Sequence, residues 1–392
     1  MDIFQKCWDF IEAKEARRTG YYPYFHPLSS AQEPEVVIEG HRMIMIGSNN
    51  YLGLTTHPKV KEAALEAVRR FGTGCTGSRF LTGTLELHIE LEKKLAEFMG
   101  KETALVFTTG FLTNLGTISA LVDRRDLLIL DNLDHASIID GARLSFGRVI
   151  KFKHNDMQDL ARILKEHQNK PKLIVIDGVF SMEGDIAKLP EIVRLAKTYK
   201  ARVMVDDAHS IGVLGKNGRG TAEHFNLMNE VDLIMGTFSK SFASIGGFIT
   251  GKFDVIDYIK HKGRAMIFSA ALPPASIAAV SAVLDIIKNE PERRERLWAN
   301  TKKMQSGFKN LGFDIGTSET PIIPIIVGDD RLAFEMWKQL MERGIFANPI
   351  ITPAVPPGRA MIRTSYTATH TEEQLNCVLE AFREVGEKLG VI

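Results

Sequence analysis

A lysine set among small hydroxyl residues marks the part of the chain best equipped for covalent chemistry. Lys240 lies in the segment GTFSKS (residues 236–241), directly after the apolar run 231–235 and shortly before two glycines at 246 and 247. A lysine that is partly removed from water at such a turn has a lowered pKa, so it serves as a nucleophile and as a base. The nearby hydroxyls of Thr237 and Ser239 are suited to bind a phosphate group.

An aspartate and a histidine follow a second apolar run, residues 201–205. They are Asp206 and His209, in the sequence DDAHS. An aspartate that faces a pyridine nitrogen keeps it protonated and makes the ring an electron sink, and His209 is placed to donate to the phenolic oxygen of that ring. An amine, an acid and an imidazole at the ends of two buried strands therefore predict pyridoxal phosphate as the cofactor, held covalently by Lys240.

Three further sites complete the candidate set. His135 follows the apolar run 127–130 and is predicted to stack on the ring and to hydrogen-bond a substrate carboxylate. Gly110 and Phe111 open a predicted helix, whose free N–H groups suit a phosphate. Arg363 has apolar neighbours on a predicted strand, so it needs an anionic partner. That partner is either an internal carboxylate or the α-carboxylate of an amino acid, held by two parallel hydrogen bonds.

Two other segments carry weaker signals. Residues 72–79 are rich in glycine but match no nucleotide-binding motif, so they are interpreted as a flexible wall of the active site, with Arg79 predicted to bind substrate. The basic tract KHKGR (residues 260–264) is interpreted as a solvated face. Contact of this tract with the phosphates of CoA or with an anionic membrane surface stays open.

The order of apolar runs predicts an α/β fold. From residue 104 to residue 237, short apolar runs alternate with helical patterns, which indicates a mostly parallel sheet covered on both faces. Ligands of such sheets bind at the carboxyl ends of the strands, where the candidate residues fall. We predict an N-terminal helix and irregular arm (1–45), a large cofactor-binding domain (46–289) and a small C-terminal α+β domain (290–392).

Composition excludes several classes of function. The 392 residues are 44% hydrophobic and 25% charged, and 49 basic residues balance 48 acidic ones, so nothing calls for a nucleic-acid partner. Cys7, Cys75 and Cys377 show neither metal-ligand spacing nor a disulfide framework, which favours the reducing cytoplasm. No apolar run approaches the roughly 18 residues of a spanning helix. Any membrane contact, through residues 1–20 or 260–264, is expected to be peripheral.

The motifs resemble those of the α-oxoamine synthases, a family of fold-type I pyridoxal-phosphate enzymes. The similarity runs nearly end to end through SNNYLGL (48–54), LDHASI (133–138), DGVFSMEGD (177–185), VDDAHS (205–210) and GTFSKS (236–241), in the family's order. The resemblance implies a large domain with a mostly parallel seven-stranded sheet and a smaller C-terminal α+β domain. It also implies condensation of an amino acid with an acyl-CoA, loss of carbon dioxide and release of an amino ketone.

The same resemblance implies roles for residues that spacing alone does not single out. Ser181 would line the phenolic side of the cofactor, and Asn49 would join Arg363 at the substrate carboxylate. Family sites form at a homodimer interface, so Ser269 would reach the phosphate of the neighbouring subunit. Ala270 lacks the hydroxyl that many relatives place there.

The substrates are predicted from three segments. The arm at residues 22–25, the loop at 76–84 and the surroundings of Lys240 are most similar to those of members that condense L-serine with palmitoyl-CoA. Glycine with acetyl-CoA and alanine with a pimeloyl thioester are the alternatives within the family. Outside that chemistry stand a non-catalytic scaffold subunit, which the retained lysine, acid and histidines argue against, and an aminotransferase, which would transfer the amino group without releasing CoA.

Overall fold

A computed structural model describes residues 2–392, which form thirteen strands and fifteen helices. The strands are β1 (Glu35–Ile38), β2 (His41–Met45), β3 (Thr103–Phe107), β4 (Leu127–Asp131), β5 (Arg148–Phe152), β6 (Lys172–Asp177), β7 (Arg202–Asp206), β8 (Leu233–Thr237), β9 (Gly247–Gly251), β10 (Ile322–Gly328), β11 (Ile345–Phe346), β12 (Asn348–Ile350) and β13 (Ala360–Ser365). The helices are α1 (Gln5–Trp8), α2 (Glu12–Thr19), α3 (Pro58–Phe71), α4 (Glu86–Met99), α5 (Gly110–Leu121), α6 (Ala136–Leu144), α7 (Met157–Glu166), α8 (Leu189–Thr198), α9 (Thr221–His224), α10 (Phe253–Lys262), α11 (Arg264–Ile267), α12 (Pro274–Asn289), α13 (Pro291–Leu311), α14 (Asp330–Glu342) and α15 (Glu372–Leu389).

The predicted mostly parallel, seven-stranded sheet is confirmed. Its strand order is β3-β9-β8-β7-β6-β4-β5. Strand β9 pairs antiparallel with both of its neighbours, and the other pairings of this sheet are parallel. The carboxyl ends of β4, β6, β7 and β8 therefore meet at one edge of the sheet.

Burial on both faces explains why these strands are continuous apolar runs. Every residue of β4 is buried. Because side chains alternate along a strand, Leu127 and Ile129 pack into one hydrophobic cluster, while Leu128 and Leu130 pack into another on the opposite face. Helices cover both faces of such a sheet, which is why helical patterns separate the strands in the sequence.

The C-terminal part has a core of its own. Strands β10, β13 and β12 form an antiparallel sheet, and helices α13, α14 and α15 contribute to the same hydrophobic cluster. Phe308, Phe313 and Phe382 pack edge to face within it, with ring centroids 5.0 to 6.0 Å apart. Thr371 caps α15 in a capping box with Gln374.

The N-terminal region differs from the prediction in two ways. The single helix expected before the N-terminal arm is two helices, α1 and α2. The arm expected to be irregular contains a hairpin, since β1 and β2 are joined by a two-residue turn at Glu39 and Gly40, both with positive φ (51° and 82°). Strand β2 also pairs with β11, so this hairpin extends a sheet that includes part of the C-terminal region. The domain boundaries themselves stay a prediction.

Within residues 2–392, no helix combines the length and the apolar character needed to cross a membrane.

Candidate active site

The strand ends bring most of the predicted residues into one cavity. Register aligns Asp177 with Asp206 and Asp206 with Met235 across β6, β7 and β8. Beyond these ends lies a cavity of about 330 Å³, which is the size of a small-molecule site. Nine of the predicted residues line it: Gly110, Phe111, His135, Ser181, Asp206, His209, Thr237, Ser239 and Lys240.

Lys240 is presented by a tight turn anchored in the core. The turn closes through hydrogen bonds from the Phe238 amide to the Gly246 carbonyl (2.9 Å) and from the Ser244 amide to the Phe238 carbonyl (2.9 Å). The ring of Phe238 is fully buried and stacks on Phe248, with centroids 5.5 Å apart. Because Phe238 packs the start of the turn into the core, the turn holds Lys240 at a defined place on the cavity wall.

The environment of Lys240 tunes its amine toward reactivity. Burial lowers its pKa from the usual 10.5 to about 8, although Asp206 and Asp177 partly oppose the shift by favouring the charged form. A substantial fraction of the amine is therefore neutral near physiological pH, as a nucleophile or a proton acceptor requires.

We expect the cofactor-free protein to capture pyridoxal phosphate faster as the pH rises toward 8. The neutral fraction of an amine with this pKa increases about 50-fold from pH 6 to pH 8 and less than about twofold more by pH 9. Stopped-flow absorbance across this range would measure the capture rate. A rate that still rises tenfold per pH unit above pH 9 would show that Lys240 behaves as an ordinary lysine.

Asp206 is held at the end of β7 by two donors. The Asn114 side-chain amide donates to Asp206 Oδ2 (2.6 Å), and the Ala208 backbone amide donates to Asp206 Oδ1 (2.9 Å). Asn114 also donates to Ser137 Oγ (2.8 Å). Asp206 is almost fully buried, yet it lines the cavity, so a cationic ring nitrogen placed there would meet a fixed carboxylate.

His209 is neutral and is oriented by a tyrosine. Its Nδ1 lies 2.7 Å from the Tyr51 hydroxyl. Burial lowers the pKa of His209 well below its usual value, and the charges of Lys240 and Arg363 act in the same direction. Burial also raises the pKa of Tyr51 to about 12, so the phenol keeps its proton as a hydrogen-bond donor. In the tautomer in which Nδ1 accepts from Tyr51, Nε2 carries the proton and can donate to a phenolic oxygen.

His135 caps helix α6 at the cavity wall. Its Nδ1 accepts the Ser137 amide (3.2 Å), and its own amide donates to Asp177 Oδ2 (2.8 Å). Desolvation lowers the pKa of His135, and the charge of Lys240 adds to this effect while Asp206 opposes it. A neutral imidazole with a fixed orientation is suited to lie against a planar ring.

An anion site forms where α5 begins. Thr109 accepts the Leu112 amide (3.0 Å) at the N-cap, which leaves the amides of Gly110 and Phe111 without an intrahelical acceptor. The hydroxyls of Thr237 and Ser239 lie 2.9 Å apart nearby. A Cβ at position 110 would lie 2.7 Å from Thr237 Oγ1, so only glycine allows this close approach of helix and strand.

Arg363 is oriented by two neutral oxygen acceptors. Its Nε donates to the Ser181 carbonyl (2.6 Å), and its Nη2 donates to Asn49 Oδ1 (3.0 Å). A guanidinium has five N–H donors, and these two hydrogen bonds use two of them. No carboxylate lies within ion-pair distance of Arg363 among the described residues, which favours the substrate carboxylate over an internal partner.

Four of the predicted residues do not line this cavity: Asn49 and Arg363, which bond to each other, and Arg79 and Ser269. Arg79 forms a bidentate pair with the Glu92 carboxylate (2.8 and 3.1 Å), and both side chains are largely buried. An internal carboxylate therefore engages this guanidinium, and its role in substrate binding stays a prediction without geometric support. Ser269 lines a small separate pocket together with Arg79. Its predicted contact concerns a second subunit, so the single chain leaves that prediction open.

Sequence reasoning missed Asn114, Tyr51 and Asp177. Asn114 lies in the middle of α5 and is buried, where a polar residue needs a partner; its distance from Asp206 along the chain hid that partner. Tyr51 belongs to a motif that was noted, but only folding places its hydroxyl beside His209. Asp177 ends β6 just as Asp206 ends β7, and that parallel was the signal available in the sequence.

Comparison with known proteins agrees with this site. Residues 41–382 match the family model described as aminotransferase class I and II. The serine palmitoyltransferase of Sphingobacterium spiritivorum is 52% identical over 379 residues, 96% of this chain and 95% of that protein. The 8-amino-7-oxononanoate synthase of Thermoanaerobacter pseudethanolicus is 47% identical over 388 residues, 98% of each. A solved serine palmitoyltransferase with pyridoxal phosphate superimposes with a TM-score of 0.97 at 38% identity, covering both chains completely.

The residues present fit the cofactor. The cavity brings together the Lys240 amine, the buried Asp206 carboxylate and the start of helix α5, where Gly110 allows the helix to approach strand β8 closely. Fold and site together define a pyridoxal-phosphate-dependent enzyme of fold type I. The chain belongs to the aminotransferase class I and II family. Within that family its similarity is to acyltransferases of the α-oxoamine synthase group, such as serine palmitoyltransferase.

Proposed function

We propose that the protein condenses L-serine with palmitoyl-CoA and releases 3-ketodihydrosphingosine, CoA and carbon dioxide. The observation that carries the proposal is the arrangement of Arg363, a guanidinium without a carboxylate partner whose charge acts on Lys240 and His209 in the cavity lining. This arrangement suits an amino acid bound through its carboxylate. Identity of 52% to a serine palmitoyltransferase supports serine and a long acyl chain over the alternatives.

Binding would begin at the carboxylate of the amino acid. Arg363, fixed by Ser181 and Asn49, would receive it through parallel hydrogen bonds. Lys240 and Asp206 would hold the cofactor ring, and His135 would cover one of its faces. Thr237, Ser239 and the Gly110 and Phe111 amides would bind its phosphate. These contacts would fix the Cα–H bond of the amino acid relative to the ring.

Proton transfer would be carried by Lys240. The cofactor, when bound, supplies an electron sink for charge that develops at the α-carbon. The Lys240 amine, with its lowered pKa, would take the α-proton and return a proton after carbon dioxide has left. Asp206 would stabilise positive charge on the ring nitrogen throughout. Between the two proton transfers, the nucleophilic α-carbon would attack the thioester carbonyl, and CoA would leave before carbon dioxide does.

CoA release tests this proposal directly. Thiol formation would be measured with serine, glycine or alanine, each combined with palmitoyl-CoA, acetyl-CoA or a pimeloyl thioester. Release restricted to serine with the long chain supports the proposal. Release with glycine and acetyl-CoA, or with alanine and a pimeloyl thioester, would instead assign one of the two alternative condensations. Transfer of the amino group without CoA release would indicate an aminotransferase.

Replacing Arg363 with lysine is expected to raise the KM for the amino acid about 10- to 100-fold, since a charge-assisted hydrogen bond contributes about 1.5–3 kcal/mol. Lysine keeps the charge but cannot bind Ser181, Asn49 and a carboxylate in one plane. The KM for palmitoyl-CoA should stay within about twofold. Steady-state kinetics with each substrate varied would measure both values. Arg383→Lys, on the exposed side of α15, is the matched control.

We further propose that the enzyme acts as a cytoplasmic homodimer with shared active sites. Support comes from the resemblance that places Ser269 at the phosphate of the neighbouring subunit. A mixed dimer of Lys240→Ala and Ser269→Ala chains would separate the two contributions. Light scattering would report the oligomeric state.

A further inference from the structure

A histidine held between two buried aspartates lies outside the cavity lining. His154 Nδ1 is 3.0 Å from Asp131 Oδ1, and His154 Nε2 is 2.9 Å from Asp185 Oδ2. The side chains of the two aspartates are 1% and 9% exposed, and that of His154 is 22% exposed. The proposed mechanism uses none of these three groups, so their arrangement calls for another explanation.

One of the two aspartates is linked to the backbone of His135. The Asp131 amide donates to Asp134 Oδ2 (2.9 Å), and Asp134 Oδ1 accepts the Asp177 amide (2.9 Å). Asp177 Oδ2 in turn accepts the His135 amide (2.8 Å). A continuous set of hydrogen bonds therefore joins the end of β4 to the turn that presents His135 to the cavity.

The other aspartate belongs to the segment that orients Arg363. In residues 178–186, the Phe180 amide donates to the Asp185 carbonyl (3.1 Å). The ring of Phe180 meets the His154 ring edge to face, with centroids 4.4 Å apart. The carbonyl of the next residue, Ser181, accepts a hydrogen bond from Arg363 Nε. Movement of Asp185 would therefore displace the acceptor that aligns this guanidinium.

The adjacent Asn155 reinforces the same bridge. Its backbone amide donates to Asp131 Oδ2 (2.9 Å), and its side-chain amide donates to Asp185 Oδ2 (3.0 Å). Burial opposes protonation of His154, but the two carboxylates outweigh it and raise its pKa to about 10. The imidazole is therefore charged at neutral pH and donates through both of its nitrogens.

We propose that His154 is a positioning residue, which ties the turn carrying His135 to the segment carrying Ser181 and thereby sets the alignment of Arg363 for the amino-acid carboxylate. The inference rests on the proposed role of Arg363 as the carboxylate receptor. It goes beyond that role by assigning the alignment to a bridge that touches neither substrate nor cofactor.

The test is the affinity of the holoenzyme for L-serine, glycine and L-alanine, each titrated against the absorbance of the bound cofactor. In His154→Gln one amide cannot donate to both carboxylates, so we expect the Kd of the amino acid that binds to rise about tenfold. The KM for palmitoyl-CoA should not change. His154→Arg, which can again donate to both carboxylates, should recover most of the affinity.

Matched measurements separate positioning from general stability. His167→Gln is the control, because His167 Nδ1 lies 3.0 Å from the Ile163 carbonyl of its own helix. A merely structural role would lower the folded fraction and the Tm of His154→Gln while leaving Kd unchanged, and that result would overturn the proposal. If His154→Gln does not fold, Asp185→Asn keeps an acceptor oxygen in place; an unchanged Kd in that variant would also overturn it.

The charge state of the bridge can be read in the cofactor-free protein. The charged groups that face His154 are Asp131, Asp185 and the nearby Glu183. Nitrogen-15 NMR should show a protonated His154 ring up to about pH 9 and titration at lower pH in Asp185→Asn. A neutral ring at pH 7 would contradict the bridge.

Failure of serine and palmitoyl-CoA to react would overturn the proposed function alone, since the Kd comparison needs only an amino acid that binds.

Discussion

Replacing Lys240 with alanine is expected to lower turnover by at least about 10³-fold, because both covalent and acid–base catalysis depend on this amine in the proposed mechanism. The fold should survive. Lys240 makes no side-chain hydrogen bond in the described structure, and Asp206 keeps its donors from Asn114 and Ala208 without it. Turnover would be measured as CoA release with serine and palmitoyl-CoA.

Two further measurements show whether the loss comes from this amine. Borohydride reduction of the wild-type holoenzyme, followed by peptide mass analysis, should place the cofactor on the peptide that contains Lys240. Lys197→Ala removes an exposed lysine paired with Glu230 and serves as the control. Wild-type turnover in Lys240→Ala, or a cofactor attached to another lysine, would refute the assignment.

Replacing Asp206 with asparagine is expected to lower turnover by about 10²- to 10³-fold, the range for removing a preorganised charge from an active site. An amide cannot stabilise a cationic ring nitrogen as a carboxylate does, so the ring would lose its strength as an electron sink. Binding of the cofactor should survive, because the amine and the phosphate site are intact. Exchange of the α-proton of serine, followed by NMR in D₂O, should slow in parallel with turnover.

The adjacent aspartate provides a matched control for that experiment. Asp207 is fully buried and accepts the Thr221 amide (3.0 Å), but it does not line the cavity. Burial raises its pKa to about 7, so a neutral side chain is already accommodated at this place. We expect Asp207→Asn to retain turnover within about twofold. Equal losses of turnover in Asp206→Asn and Asp207→Asn would mean that the effect of Asp206→Asn is structural. Exchange of the α-proton at the wild-type rate in Asp206→Asn would refute the proposed role of Asp206.

Local sequence patterns were sufficient to predict the large sheet and to group most of the residues that line the candidate site. Strands buried on both faces must be continuous apolar runs, so β4, β6, β7 and β8 are visible in the sequence. Residues that directly follow such strands must lie at one sheet edge, which is why Asp206, Lys240 and His135 could be grouped before any coordinates were available. The N-terminal hairpin is local, but the strand that completes its sheet, β11, lies some 300 residues away along the chain and could not be assigned to it from local patterns.

Only the tertiary structure decided which polar side chains meet. Arg79 and Arg363 are both arginines that need an anion, yet folding pairs Arg79 with Glu92 and leaves Arg363 with neutral oxygen acceptors. The Tyr51–His209 contact joins residues 158 positions apart, and the His154–Asp185 contact joins residues 31 apart. Residue type and local spacing determine what chemistry a side chain can perform. Packing of distant segments determines which partner orients that side chain. It also determines whether the polar groups of the side chain already bond to water or to an internal charge.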